Sequence, residues 1–178
     1  MSAAWVGKDR IYMGFMGSME EPSIDILVYN LEYELIEKIN LSDTMIMISS
    51  MVLTPDEKYL VCAHLQVRIS IINTETFKVV SDEPFGDDDV DGLSIWRVAV
   101  TETGKLVFAT TDGLFTGKIN DAGEFDGDDH ILFGKDCQRC QVVHGEFVMC
   151  AVQDADGSKL LLICLDDMDS SEIVKFDG

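Results

Sequence analysis

Basic residues are scarce in this 178-residue sequence: 13 Lys and Arg stand against 33 Asp and Glu, for a net charge of −20. A field of that sign repels phosphate backbones and anionic membrane surfaces and attracts basic proteins or cations. Direct nucleic-acid binding is therefore not expected. Long apolar runs are missing as well, since no stretch approaches the roughly 18 residues that a spanning helix needs, so membrane insertion is not expected either. Histidine is limited to His64, His130 and His144. There is no G-x-S-x-G elbow, no H-E-x-x-H and no Gly-rich loop followed by Lys and Ser or Thr, which leaves little material for catalysis. Five cysteines, Cys62, Cys137, Cys140, Cys150 and Cys164, are an odd number in a chain of this size and do not resemble a secreted disulfide framework. Lys8, Asp9 and Arg10 interrupt the N-terminus before an apolar signal core can form. An intracellular location, cytoplasmic or nuclear, is expected.

What is present is ordinary core material. The apolar fraction is 47 %, drawn mainly from Val, Ile, Leu, Phe and Met, and a chain of this length buries roughly two-thirds of the surface it exposes when unfolded. One folded domain is expected, with the dense surface acid keeping it soluble.

The residues are organised as a unit of four short β-type runs, repeated about four times. In the middle copy, Met45 to Thr54 is an apolar run and Pro55-Asp56-Glu57-Lys58 a turn. Tyr59 to Leu65, Val67 to Asn73 and, after Thr74-Glu75-Thr76, Phe77 to Val80 complete four strands. Downstream, Ile95 to Val100, the turn Glu102-Thr103-Gly104, Lys105 to Thr110, Gly113 to Ile119 and His130 to Phe133 fill the same places. A further copy runs through Cys140 to Val143, Phe147 to Val152, Leu160 to Leu165 and Ile173 to Phe176; the first is Ala3 to Val6, Arg10 to Phe15, Ile24 to Asn30 and Leu35 to Ile39. Leu31, Leu35, Ile36 and Ile39 fall at helical spacing, but their neighbours demand a strand. Arg10, Lys58, Lys105 and Glu146, at equivalent positions, are 48, 47 and 41 residues apart, close to the period of about 40 to 50 residues of propeller blades.

The run beginning at Leu53, Leu-Thr-Pro-Asp-Glu-Lys-Tyr-Leu-Val-Cys-Ala, and the run beginning at Val67, Val-Arg-Ile-Ser-Ile-Ile-Asn-Thr-Glu-Thr-Phe-Lys-Val-Val, resemble the repeats of YVTN-type and WD40-like β-propellers over about 30 residues. No Gly-His pair opens a repeat and no Trp-Asp closes one, so the hydrogen-bonded tetrad of a typical WD40 blade is not indicated. The resemblance implies an all-β, propeller-like architecture of about four four-stranded antiparallel blades, at residues 1–41, 42–83, 93–134 and 137–178. Most such propellers close with six to eight blades, and an open arc leaves strand edges exposed. Either the four blades form a compact ring, or a partner or second copy completes the arc, or the chain is part of a longer protein; the last two are favoured. The end at Phe176-Asp177-Gly178, directly after a fourth strand, resembles a cut at a blade boundary.

Two constellations invite chemistry. Cys137-Gln-Arg-Cys140, with His130 before it and His144 after it, has the residue types of a Cys2His2 zinc site. The four come from the end of one blade and the start of the next, so structural cysteines are the expectation and neither a metal nor a cofactor is assigned. Aspartate clusters lie at positions 87–91, 126–129, 154–156 and 166–169, none with the spacing of an EF-hand loop. In a propeller the loops between second and third strands share a face with the loops joining blades. Glu20, Glu21, Asp112, Asp154 and Asp156 are thereby expected beside Phe85, Asp87, Asp88, Asp89 and Asp91, an acidic face with an aromatic anchor suited to a basic protein partner. The opposite face also carries acid, at Asp56, Glu57, Asp121, Glu124 and Asp126 to Asp129. His64, inside an apolar strand, reads as a hydrogen-bonded core histidine, and Trp5 and Trp96, at matching first-strand positions, as packing residues. The leading expectation is a non-catalytic scaffold or subunit that mediates protein–protein interaction. The alternative is an enzyme resembling propeller lactonases, with carboxylates holding a divalent cation at the central channel.

Overall fold

A computed structural model describes residues 4–16, 23–42, 47–66, 68–84, 93–131, 136–154, 157–166 and 172–174. They form sixteen strands and, among the described residues, no helix. The strands are β1 (Ala4–Val6), β2 (Arg10–Met16), β3 (Ile24–Asn30), β4 (Leu35–Ser42), β5 (Ile48–Leu53), β6 (Tyr59–His64), β7 (Arg68–Asn73) and β8 (Val79–Pro84). The second half repeats the series with β9 (Ile95–Val100), β10 (Leu106–Thr110), β11 (Gly113–Ile119), β12 (Phe125–Ile131), β13 (Asp136–His144), β14 (Phe147–Asp154), β15 (Gly157–Cys164) and β16 (Glu172–Val174). Each consecutive set of four is one antiparallel meander, in the spatial orders β1-β2-β3-β4, β5-β6-β7-β8, β9-β10-β11-β12 and β13-β14-β15-β16.

Local chemistry sets the turns. Thr54 Oγ1 donates to Asp56 Oδ1 at 2.6 Å and accepts the Tyr59 amide, closing the β5–β6 turn with Glu57 at φ +56°. Gly104 does the same service between β9 and β10 at φ +87°, a backbone region that costs glycine nothing. Asn73 Oδ1 accepts the amides of Glu75 and Thr76, and Phe77 sits at φ +56° inside that turn. The fourth strand of the second sheet consequently begins at Val79, later than the expected Phe77, and runs on to Pro84, where a missing amide is harmless at a strand end. In the third sheet the fourth strand is Phe125–Ile131 and not His130–Phe133. The acidic stretch from Asp126 therefore stands in an outermost strand, where charge on a free edge discourages pairing with other chains. The run Leu31 to Ser42 yields β4 and no helix.

Three apolar layers hold the four sheets together, one between each consecutive pair. Tyr12, Ile26 and Val28 of the first sheet meet Ile48, Met51, Leu60 and Cys62 of the second. Val61, Ala63 and Ile71 of the second meet Ile95, Val98 and Phe108 of the third, where Phe108 packs edge-on to Phe125 with ring centroids 5.4 Å apart. Val107, Ala109 and Leu114 of the third meet Cys137, Cys140, Val148 and Cys150 of the fourth. Alternation along the second strands decides this: odd and even residues of β6 and β10 point to opposite neighbours, and both sides are buried. The first strands β1, β5, β9 and β13 lie side by side along the inner edge of the stack, and among the described residues the first and fourth sheets make no extended contact.

Candidate partner-binding site

The inner strands share a defect in register. Ile48 pairs with His64 and Ser50 with Ala63, leaving Ser49 as an extra residue. Ile95 pairs with Thr110 and Arg97 with Ala109, leaving Trp96. Cys137 pairs with Val152 and Arg139 with Ala151, leaving Gln138. Each is a β-bulge, which re-aims one side chain and lets the strand return to its core face afterwards. Ser49, Trp96 and Gln138 accordingly meet, with Met47, Leu65 and Arg139, around the mouth of one cavity of about 360 Å³ beside the inner strands. Trp96 is 37 % exposed there. Its Nε1 donates to Asp136 Oδ1 at 3.2 Å, and Gln138 Nε2 donates to the other oxygen of the same carboxylate at 3.2 Å.

Of the turns between second and third strands, the one at Leu65 lines this mouth. Leu65 N donates to Met47 O at 2.9 Å, and Thr111 N to Ser94 O at 3.1 Å, tying each turn to the start of its inner strand. Asp112, in the second of these turns, stands on the same face. Asp154 ends β14 beside the fourth sheet's turn, opposite Gly157. Glu20, Glu21, Phe85, Asp87, Asp88, Asp89, Asp91 and Asp156 lie outside the described residues.

The zinc constellation looks different in three dimensions. Cys137 and Cys140 lie within one strand, β13, and both point into the layer against the third sheet because the bulge at Gln138 falls between them. Cys140 donates to Val107 O at 3.6 Å, and burial pushes its thiol up to about 12. The hydrogen bond that the Cys150 thiol gives to Cys137, with burial, raises Cys150 too, so Cys140 and Cys150 are protonated packing groups. His144 is exposed at the far end of β13, roughly 13 Å from Cys140 at strand rise. His130 stands on β12, paired in register with Phe115. Among the described residues no group of three or more His, Cys, Asp or Glu side chains is placed to hold a metal ion.

His64 is buried and takes part in a polar chain. Its Nε2 lies 2.7 Å from Ser70 Oγ, Ser70 donates to Asp82 Oδ1 at 2.9 Å, and Arg68 grips both Asp82 oxygens at 2.6 Å. Burial lowers the His64 pKa to about 4, against the opposing pull of Asp82. Burial pushes Asp82 up, and the Arg68 fork and the Ser70 hydroxyl outweigh it and hold the carboxyl below its ordinary value. A neutral, enclosed imidazole is a structural one.

Trp96 departs from the packing role expected of it. Trp5 packs against two of the apolar layers, whereas the bulge turns Trp96 into the mouth. The signal was in the spacing: Ile48 and Met51, Ile95 and Val98, and Cys137 and Cys140 are pairs three residues apart that face one way, a spacing that regular strand alternation forbids.

No family model and no curated protein matches this sequence. Solved structures do. The β-propeller domain of Myceliophteria thermophila Cps50 (Swd1) superposes with a TM-score of 0.65 at 13 % identity, covering 97 % of this chain. The fold is a β-propeller. Its four sheets are blades, and the chain spans 57 % of the length of that propeller domain. Among the described residues no helix is long and apolar enough to cross a membrane.

Proposed function

We propose that this chain is a propeller scaffold or subunit that binds another protein and carries out no chemistry of its own. The observation that supports the reading is the bulge-built mouth. Three blades each divert one inner-strand residue to a single cavity, and one of the three is a partly exposed tryptophan, a side chain enriched at binding hot spots. The Asp136 carboxylate fixes the indole in place, so little rotamer freedom is lost on contact. The acidic loops expected on this face, with Asp112 among them, suit a partner with a basic surface, drawn in by the net charge of −20. Burial keeps the Cys140 and Cys150 thiols protonated and the His64 imidazole neutral, which supports a packing role for these three residues.

The test is photo-crosslinking inside cells from a benzophenone amino acid placed at position 96, with position 33, an exposed turn of the first blade away from the mouth, as control. A protein adduct specific to position 96, lost as salt is raised before irradiation, is the expected result. Equal adducts from both positions, or none from position 96, would overturn the reading.

A further inference from the structure

The two end blades carry interface surfaces that no described residue covers. On the second strands, the residues facing the preceding blade are Leu60, Cys62 and His64 in the second blade, Leu106 and Phe108 in the third, and Val148, Cys150 and Val152 in the fourth; all are buried. The equivalent residues of the first blade are Ile11, Met13 and Phe15, with Met13 43 % and Phe15 54 % exposed. Leu27 is level with Met13 and Tyr29 with Ile11, so these positions of the two central strands keep interior composition. The fourth blade mirrors it on the side away from the third. Phe147 and Met149, 41 % and 40 % exposed, stand level with Cys164 and Leu162, and Ala151 with Leu160. These positions correspond to Tyr59, Val61 and Ala63 of the second blade, which are buried against the third.

Charge on the first face is already neutralised. Asp25, in register with Phe15, is almost fully enclosed and receives Lys38 Nζ at 2.9 Å, Asn40 Nδ2 at 3.1 Å and Ser23 Oγ at 3.1 Å. Covering this face strands no unpaired carboxylate.

We infer that a second copy of this chain covers both faces, the fourth blade of each copy packing on the first blade of the other. One open face is built as a following side and the other as a preceding side, so the contact repeats the three interfaces already inside the chain. Two such contacts close a two-fold ring of eight blades, within the four to eight that propellers use. This goes beyond the mouth at Trp96 and does not depend on it.

Sedimentation of the purified chain at physiological salt tests the inference. The expected species has twice the 19.8 kDa of one chain, grows tighter as salt screens the like charge of the two copies, and is unaffected by Trp96→Ala. Phe15→Asp and Met149→Asp, each checked for native circular dichroism, are expected to weaken the dimer about 100-fold. Mixed together they recover it, because one of the two contacts in the mixed pair is wild-type on both sides. A 19.8 kDa monomer at all concentrations, an open-ended polymer or aggregate, or a mixture that fails to recover the dimer overturns the inference.

Discussion

Phe108 and Phe147 sit on the second strands of neighbouring blades, and only one of them is buried. Phe108 has the second blade in front of it and the edge of Phe125 against its ring, and it is fully enclosed. Phe147 points beyond the last blade of the chain and remains partly open. In a propeller, burial is conferred by the neighbouring blade and not by a strand's own pattern, so two phenylalanines on second strands, one facing a blade and one facing outward, have different energetic weight.

Truncation breaks that comparison most sharply. Phe108→Ala is expected to cost about 3–5 kcal/mol by leaving a cavity between two blades, and Phe147→Ala less than about 1 kcal/mol when the chain is dilute, both read from denaturant midpoints. If a second copy covers the fourth blade, the Phe147→Ala cost grows with protein concentration and the Phe108→Ala cost does not. Acid probes the interior next. His64 titrates near 6.5 when unfolded and at about 4 in the fold. The unfolded chain thus takes up the proton first, and stability that is complete above pH 6.5 declines by about 3 kcal/mol as pH falls to 4. His64→Gln removes this slope. Asp82, held below the ordinary carboxylate range, adds its loss only at lower pH, below 3.8. Gly117→Ala comes third, at about 1–3 kcal/mol. An added Cβ there meets the Phe125 ring and lies 2.6 Å from Asp126 O, inside the third blade where nothing can give way freely. Gly104→Ala is the smallest, at about 1 kcal/mol, because the turn is open to solvent and only the φ of +87° opposes a side chain.

Much of the fold was legible because blades announce themselves locally. Pro55-Asp56-Glu57-Lys58 between Val52-Leu53 and Tyr59-Leu60 specifies a turn between two apolar strands, and a spacing of 41 to 48 residues repeats it. The ends of strands were harder to place. Phe77 looks like the start of a strand by composition, yet the Asn73 cap holds it in a left-handed turn, and the acidic Phe125–Ile131 carries no apolar alternation because it is an outermost edge. The mouth was hidden by the same bulges that build it. A Cys-x-x-Cys at positions 137–140 has the residue types of half a zinc site; a bulge makes it two core residues and one re-aimed glutamine.

Alternation of apolar and polar residues, turn chemistry and repeat length are properties of neighbours along the chain, and from them the sequence by itself determined sixteen short strands grouped in fours. The packing order of the sheets, the meeting of Ser49, Trp96 and Gln138 at one cavity, the enclosure of His64 and the contrast between covered and open blade faces were decided only in the tertiary structure. Each of these depends on which sheet lies beside which, and residues some forty positions apart carry no local trace of one another until the blades stack.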